Sequence, residues 1–99
     1  MTGLTMTVQD ARQRLEHERS SRLTQLRAVE DGAALADEEL SKAQAAAIRR
    51  VLTEISAAEE RLADGSYGAC QDCGTVIPVE RLEILPYVRC CVGCQQRAL

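Results

Sequence analysis

The sequence predicts a mainly α protein: an antiparallel helical hairpin (a coiled coil) over residues 1–64, followed by a small four-cysteine domain over 65–99. Three observations predict it. All five cysteines fall after residue 69, and residues 1–64 contain neither Cys nor Pro. The first part is rich in Ala, Leu, Glu, Arg and Gln, which favour helix. Its apolar residues recur at spacings of three and four in two runs, separated by a break around Gly32.

The first run is Val8, Ala11, Leu15, Arg22, Leu26 and Val29, with Leu23 beside it and Arg22 as its polar lapse. The second is Ile48, Val51, Ile55, Ala58 and Leu62. Both read as heptad-like seams. Thr7 with Asp10 has the form of a helix N-cap pair, and Ser41 with Gln44 gives a second, inside or near the start of the second helix. Gly65 is placed to stop that helix. Arms of about 24 residues would each be roughly 36 Å long at 1.5 Å per residue. One unbroken helix forming a dimeric coiled coil is the alternative; Gly32 and the capping signals favour the hairpin.

Composition narrows the function. The 99 residues include no Phe, no Trp and only two Tyr, so a deep core is out of reach. The chain needs a helical seam and a staple such as a metal. Fifteen acids against twelve bases give a net charge of −3, which argues against a protein that coats nucleic acid. The usual base-stacking aromatics are missing as well. No apolar run approaches the roughly 20 residues of a membrane span. Met1–Val8 does not read as a signal peptide, so the expectation is a soluble, cytoplasmic protein. His17 is the only histidine and lies off the seam, which gives acid–base catalysis little to build on. Arg12, Arg14, Arg19, Arg22 and Arg27 are balanced by five acids in residues 1–36, and read as a charged face rather than a DNA patch. The expectation is that the protein is not an enzyme.

The cysteines carry the chemistry. Cys70-x-x-Cys73 and Cys91-x-x-Cys94 are two CxxC pairs separated by 17 residues, a zinc-site spacing. Each pair brings two thiolates onto one ion, and two pairs complete a tetrahedron. Four thiolates leave no open coordination position, so one structural Zn2+ is expected. Such a site contributes on the order of 10–16 kcal/mol of apparent binding energy coupled to folding. A redox CxxC would be expected beside a βαβ pattern, which is absent; an iron–sulfur cluster draws on the same four thiolates, but the ribbon spacing favours zinc. Cys90 adjoins Cys91, and either could supply the third ligand. Cys91 gives the usual CxxC and is favoured, leaving Cys90 as a spare small side chain or a redox-sensitive thiol. Gly74 and Gly93 sit where such knuckles often need positive φ. Gln95–Leu99 reads as one closing helical turn, and Tyr67 as packing where hairpin and finger join.

The stretch Tyr67-Gly68-x-Cys70-x-x-Cys73-Gly74-x-x-Ile77-Pro78-x-x-Arg81-Leu82-x-x-x-Pro86-x-x-x-x-Cys91-x-x-Cys94-Gln95 closely resembles the four-cysteine zinc finger of the DksA/TraR family, over about 30 of 99 residues. The preceding hairpin fits that family by pattern. The resemblance implies a regulator of bacterial transcription that binds RNA polymerase rather than a specific DNA sequence. Its coiled coil would enter the secondary channel with acidic residues at the tip, in some members together with ppGpp. Here Glu30, Asp31, Asp37, Glu38 and Glu39 are the only charged residues between Arg27 and Lys42, and they form the candidate acidic tip near residues 30–39. Acids there suit a magnesium-containing, positively lined channel; they also suit the start of a second helix. The family's Asp-x-x-Asp-x-Ala tip is changed: Asp31 to Ala36 is the nearest frame, with Ala34 in place of the second Asp. The arms look short beside the longer members, and only five residues follow Cys94. The other reading is a zinc-stabilised protein-interaction module with a partner other than polymerase.

Overall fold

The computed structural model describes residues 6–32 and 37–97. Four helices follow in order: α1 Val8–Asp31, α2 Glu38–Asp64, α3 Val79–Ile84 and α4 Val92–Arg97. The first two form the hairpin. The second two belong to the finger, which also holds one isolated antiparallel bridge between Ala69 and Val76.

α1 starts at a capping box. The Thr7 hydroxyl accepts from the Asp10 N–H at 3.0 Å, and the Asp10 carboxylate accepts from the Thr7 N–H at 3.3 Å, so two orphan donors are satisfied. α2 starts at Asp37, whose carboxylate accepts from the N–H groups of Glu39 and Leu40 at 2.8 and 3.2 Å. The expected Ser41 cap is therefore displaced. Ser41 lies inside α2 and is buried, because Asp37 offers a charged acceptor four residues earlier, where the helix dipole favours an acid. α2 stops at Gly65, whose φ of 86° suits a residue without Cβ and whose N–H donates to the Arg61 carbonyl.

Cross-helix pairs fix an antiparallel register. Arg19 on α1 donates to Ser56 at 3.2 Å and pairs with Glu59 on α2; Arg49 on α2 pairs with Glu30 on α1 at 2.6 Å. Between the helices, Ala11 and Leu15 from α1 are buried with Ala45, Ile55 and Ala58 from α2. Val8, expected to open the seam, is 54% exposed, because the seam begins one turn later at Ala11. Arg22, Leu26, Val29, Ile48, Val51 and Leu62 are only partly buried.

The burial is unevenly distributed. Leu15, Ile55 and Ala58 form one cluster, with Val51, Leu52, Leu62, Tyr67 and Tyr87 packed against it. A second cluster lies in the finger, where Cys70, Ile77, Leu82 and Cys94 are joined by Met6, Tyr67, Val88, Cys90 and Cys91. Tyr67 packs against both, so the two cores are contiguous at the root of the hairpin. A further tie runs from α1 to the end of α3, where the Arg14 guanidinium reaches the Glu83 carbonyl at 3.5 Å.

α3 was not legible as a helix, since six residues behind Pro78 carry too little periodicity to read. α4 begins at Val92, not at Gln95 as the sequence reading has it, because a helical turn is what brings Cys94 back over Cys91.

Ile55→Ala should destabilise the protein by about 2–5 kcal/mol, since it empties a fully buried site, while Leu23→Ala on the exposed flank should stay within about 0.5 kcal/mol. Urea unfolding followed by circular dichroism measures both. Gly65→Ala meets no atom within 4 Å of its new Cβ, so its cost in the same assay should be the left-handed backbone strain alone, about 1–2 kcal/mol.

Candidate metal centre

The first knuckle is built by backbone bonds. Cys70 N–H donates to the Thr75 carbonyl at 2.8 Å, and Gly74 N–H donates back to the Cys70 carbonyl at 2.9 Å. The chain reverses within five residues because Gly74 takes a φ of 78°. The second knuckle differs. Gly93 does not have the expected positive φ; it lies within α4, so helical i,i+3 spacing and not a left-handed glycine aligns Cys91 with Cys94.

These two devices gather the Sγ atoms of Cys70, Cys73, Cys91 and Cys94, all within 4.8 Å of one another. Cys73 and Cys91 stand 3.8 Å apart. Zn–S bonds of about 2.3 Å in a tetrahedron place sulfurs about 3.8 Å apart, so the cluster has the size and donor chemistry for zinc. Cys90 is not among the four: its Sγ lies 3.5 Å from the Asp72 carboxylate, and burial followed by that carboxylate pushes its thiol upward.

The surroundings treat the four sulfurs differently. The backbone N–H groups of Cys91 and then Cys73 hold the Cys70 thiol down to about 6. The Thr75 hydroxyl, 3.1 Å away, and the Thr75 backbone lower that of Cys73. Burial, reinforced by the neighbouring thiols, pushes Cys94 up to about 12. Arg97 compensates at that sulfur, its guanidinium 3.0 Å from the Cys94 Sγ. A dication with four thiolates carries two excess negative charges, so a cation and N–H donors at the sulfurs are the outer contacts such a site requires. Bound there, zinc would cross-link the knuckles and supply no reactive position.

The segment leading into Cys91 is held at every carbonyl. Pro86 accepts from the Tyr67 hydroxyl at 2.7 Å; Tyr87 and Val88 accept from the Arg61 guanidinium at 3.5 Å each. Arg89 accepts from Gln71 N–H at 2.8 Å, Cys90 from Arg81 Nε at 3.4 Å, and Cys91 from Gln95 N–H at 2.9 Å. Arg61 is only 8% exposed. Sequence reasoning missed Arg61, Thr75 and Arg97. Arg61 falls three residues after Ala58 on the seam, and that position was its one visible signal.

The structure separates the acidic tip residues by role. Glu30 is paired with Arg49, Glu38 with Lys42 at 3.8 Å, and Asp37 caps α2. Asp31 and Glu39 are exposed. The altered frame from Ala33 to Ala36 lies outside the described residues. His17 is exposed on α1, away from the cysteines.

Residues 65–98 match the family model of the prokaryotic dksA/traR C4-type zinc finger. Among curated relatives, General stress protein 16O of Bacillus subtilis (strain 168) is 45% identical over 47 residues, which is 48% of this chain and 29% of that protein. An uncharacterized protein of Aquifex aeolicus (strain VF5) is 42% identical over 45 residues, 46% of this chain and 31% of its own length. The matched stretch thus spans less than a third of either relative. Among solved structures, transcription factor DksA2 from Pseudomonas aeruginosa superposes with a TM-score of 0.54 at 28% identity, covering 92% of this chain and 76% of that one. An RNA polymerase binding protein and transcriptional regulator from Chlamydia trachomatis L2 (LGV434) gives 0.48 at 25% identity, covering 83% and 87%. The DksA2 likeness extends beyond residues 65–98 into the hairpin.

Cys91→Ser should reduce bound zinc well below one ion per chain, whereas Cys90→Ser should leave it at one; elemental analysis of purified protein decides this. Chelation should lower the thermal midpoint of the protein by well over 10 °C, because the finger has few other large buried side chains to replace the cross-link.

Proposed function

We propose that the protein is an RNA polymerase-binding transcription regulator whose hairpin inserts into the polymerase secondary channel. Its finger is read as a structural unit, with Cys70, Cys73, Cys91 and Cys94 as the ligands of one zinc ion. The observation that carries this reading is the combination of a DksA/TraR finger with a hairpin in the arrangement of a transcription factor, over 92% of the chain. No helix among the described residues is long and apolar enough to cross a membrane. A cytoplasmic place, with polymerase as partner and no sequence-specific DNA contact, belongs to the same reading. So does the absence of catalysis, since the clustered thiols are assigned to the metal.

The tip acids divide under this proposal. Asp37 and Glu30 have structural work, as helix cap and as cross-helix ion pair. Asp31 and Glu39, with Glu38 whose one partner is the exposed Lys42 a turn along its own helix, are the acids left to act on the partner. Reduced tip chemistry also favours a second reading, a module that presents the same hairpin to a different protein.

A photoreactive residue at Ala34, mixed with core RNA polymerase, should cross-link to the walls of the secondary channel. A folded, zinc-loaded protein that gives no such cross-link would select the second reading. Replacing Asp31, Glu38 and Glu39 by their amides should leave the circular dichroism spectrum unchanged and abolish the effect on transcription in a purified system; an unchanged effect would remove the tip from the mechanism.

A further inference from the structure

The two halves of the hairpin are not built alike. At the root, Leu15, Ile55 and Ala58 are fully buried, and Tyr67 and Tyr87 close the cluster. Toward the tip the only buried residues among those described are Ser41 and Ala45, both small, and the larger seam residues Leu26, Val29 and Ile48 are only partly buried. Beside them runs an open groove of about 280 Å3, lined by Val29, Ser41 and Ala45 with the charged residues Glu30, Glu38, Lys42 and Arg49. Small side chains on α2 have left space that nothing on α1 fills. What bridges the helices there is the Glu30–Arg49 ion pair, half-exposed on both sides, and exposed pairs contribute little.

The boundary between the halves is marked on both helices. Arg22 occupies the seam position seven residues after Leu15. Its Nε is buried without a hydrogen-bond partner, and its other nitrogens donate to Glu18 and Gln25 on its own helix. An unsatisfied buried donor weakens the packing at that level. Two residues on, the Thr24 hydroxyl donates to the Ser20 carbonyl at 3.0 Å; on α2 the Thr53 hydroxyl donates to the Arg49 carbonyl at 3.1 Å. Back-bonding of this kind competes with the helix's own ladder and bends it. Arg19 lies against Ser56 and Glu30 against Arg49, so Thr24 and Thr53 stand at about the same height. A polar lapse and two back-bonded threonines coincide in one cross-section.

The geometry points to a hinge at Arg22 and Thr24 on α1 and at the Arg49–Thr53 turn on α2, about which residues 24–31 and 38–49 bend while the root, to which Val51 and Leu52 belong, stays closed. The acid-bearing end can then change direction relative to the finger when a partner engages it. The inference rests on packing alone and holds whichever partner the hairpin takes.

Hydrogen exchange of the full, zinc-loaded chain tests it. Amides of 24–31 and 38–49 should exchange at least tenfold faster than those of 11–21 and 54–61, with a step at the hinge rather than a gradual ramp from the tip. Arg22→Leu, which makes the seam continuous, should slow the tip-side amides at least tenfold and leave the root unchanged. Thr53→Val, which removes the back-bond at nearly constant shape, should act in the same direction. Uniform exchange along both arms, a ramp without a step, or an Arg22→Leu effect that is absent or equal in both halves would overturn the hinge.

Discussion

Arg61 is buried near the end of α2, and both its backbone and its side chain are engaged. Its carbonyl accepts from the N–H groups of Gly65, Ser66 and Tyr67, which turns the chain out of the hairpin. Its guanidinium spans to the carbonyls of Tyr87 and Val88, just before the second pair of cysteines. One residue therefore sets where the finger begins, through its carbonyl, and where its far wall lies, through its guanidinium. Burying a guanidinium is unfavourable unless its donors are used, so α2 and the 87–88 segment are constrained to stay together. The direction of the hairpin relative to the metal centre follows from this contact, with Tyr67 packing on both cores beside it.

The rest of the architecture is a response to a shortage of large side chains. With no Phe and no Trp, the fully buried large residues among those described are Leu15, Ile55 and Ile77. Two of them sit in the hairpin root and one in the finger. Burial at roughly 25 cal/mol per Å2 cannot hold a 99-residue chain from so small a set against its conformational entropy. Local devices make up part of the difference: the capping box at Thr7, the Asp37 cap and the Gly65 stop. In the finger a metal cross-link takes the place that an apolar core would fill. The uneven distribution also explains why the root is well packed while the tip half rests on small residues and an exposed ion pair.

Much of this was legible in the sequence, and the legible parts share a cause. Ala11, Leu15, Ile55 and Ala58 announced themselves by helical spacing, which repeats over several turns. Thr7 with Asp10, and Gly65, were readable because caps depend on residues within four positions of one another. The cysteine pairs were readable because a metal imposes its own spacing. What escaped was nonlocal or short. Asp37 caps α2, a role that the sequence reading did not give it, since Ser41 offered a competing cap signal four residues later. Ser41 itself entered the seam because a small side chain can be buried at little cost. Gly93 resembled a left-handed knuckle glycine, but the i,i+3 spacing of Cys91 and Cys94 is equally a helical one. The roles of Arg61 and Arg97 depend on carbonyls and a sulfur brought near by the fold, which no window of sequence displays.

The two tyrosines have a consequence of another kind. Tyr67 and Tyr87 both pack against the cluster at the root of the hairpin, and the Tyr67 hydroxyl is bonded to the Pro86 carbonyl. They are the only aromatic residues in the chain. Its near-ultraviolet absorption and intrinsic emission therefore originate at one place, where the helices meet the finger, and no tryptophan masks them. The α2–finger joint is optically labelled by nature, while both arms beyond it and the metal knuckles are dark.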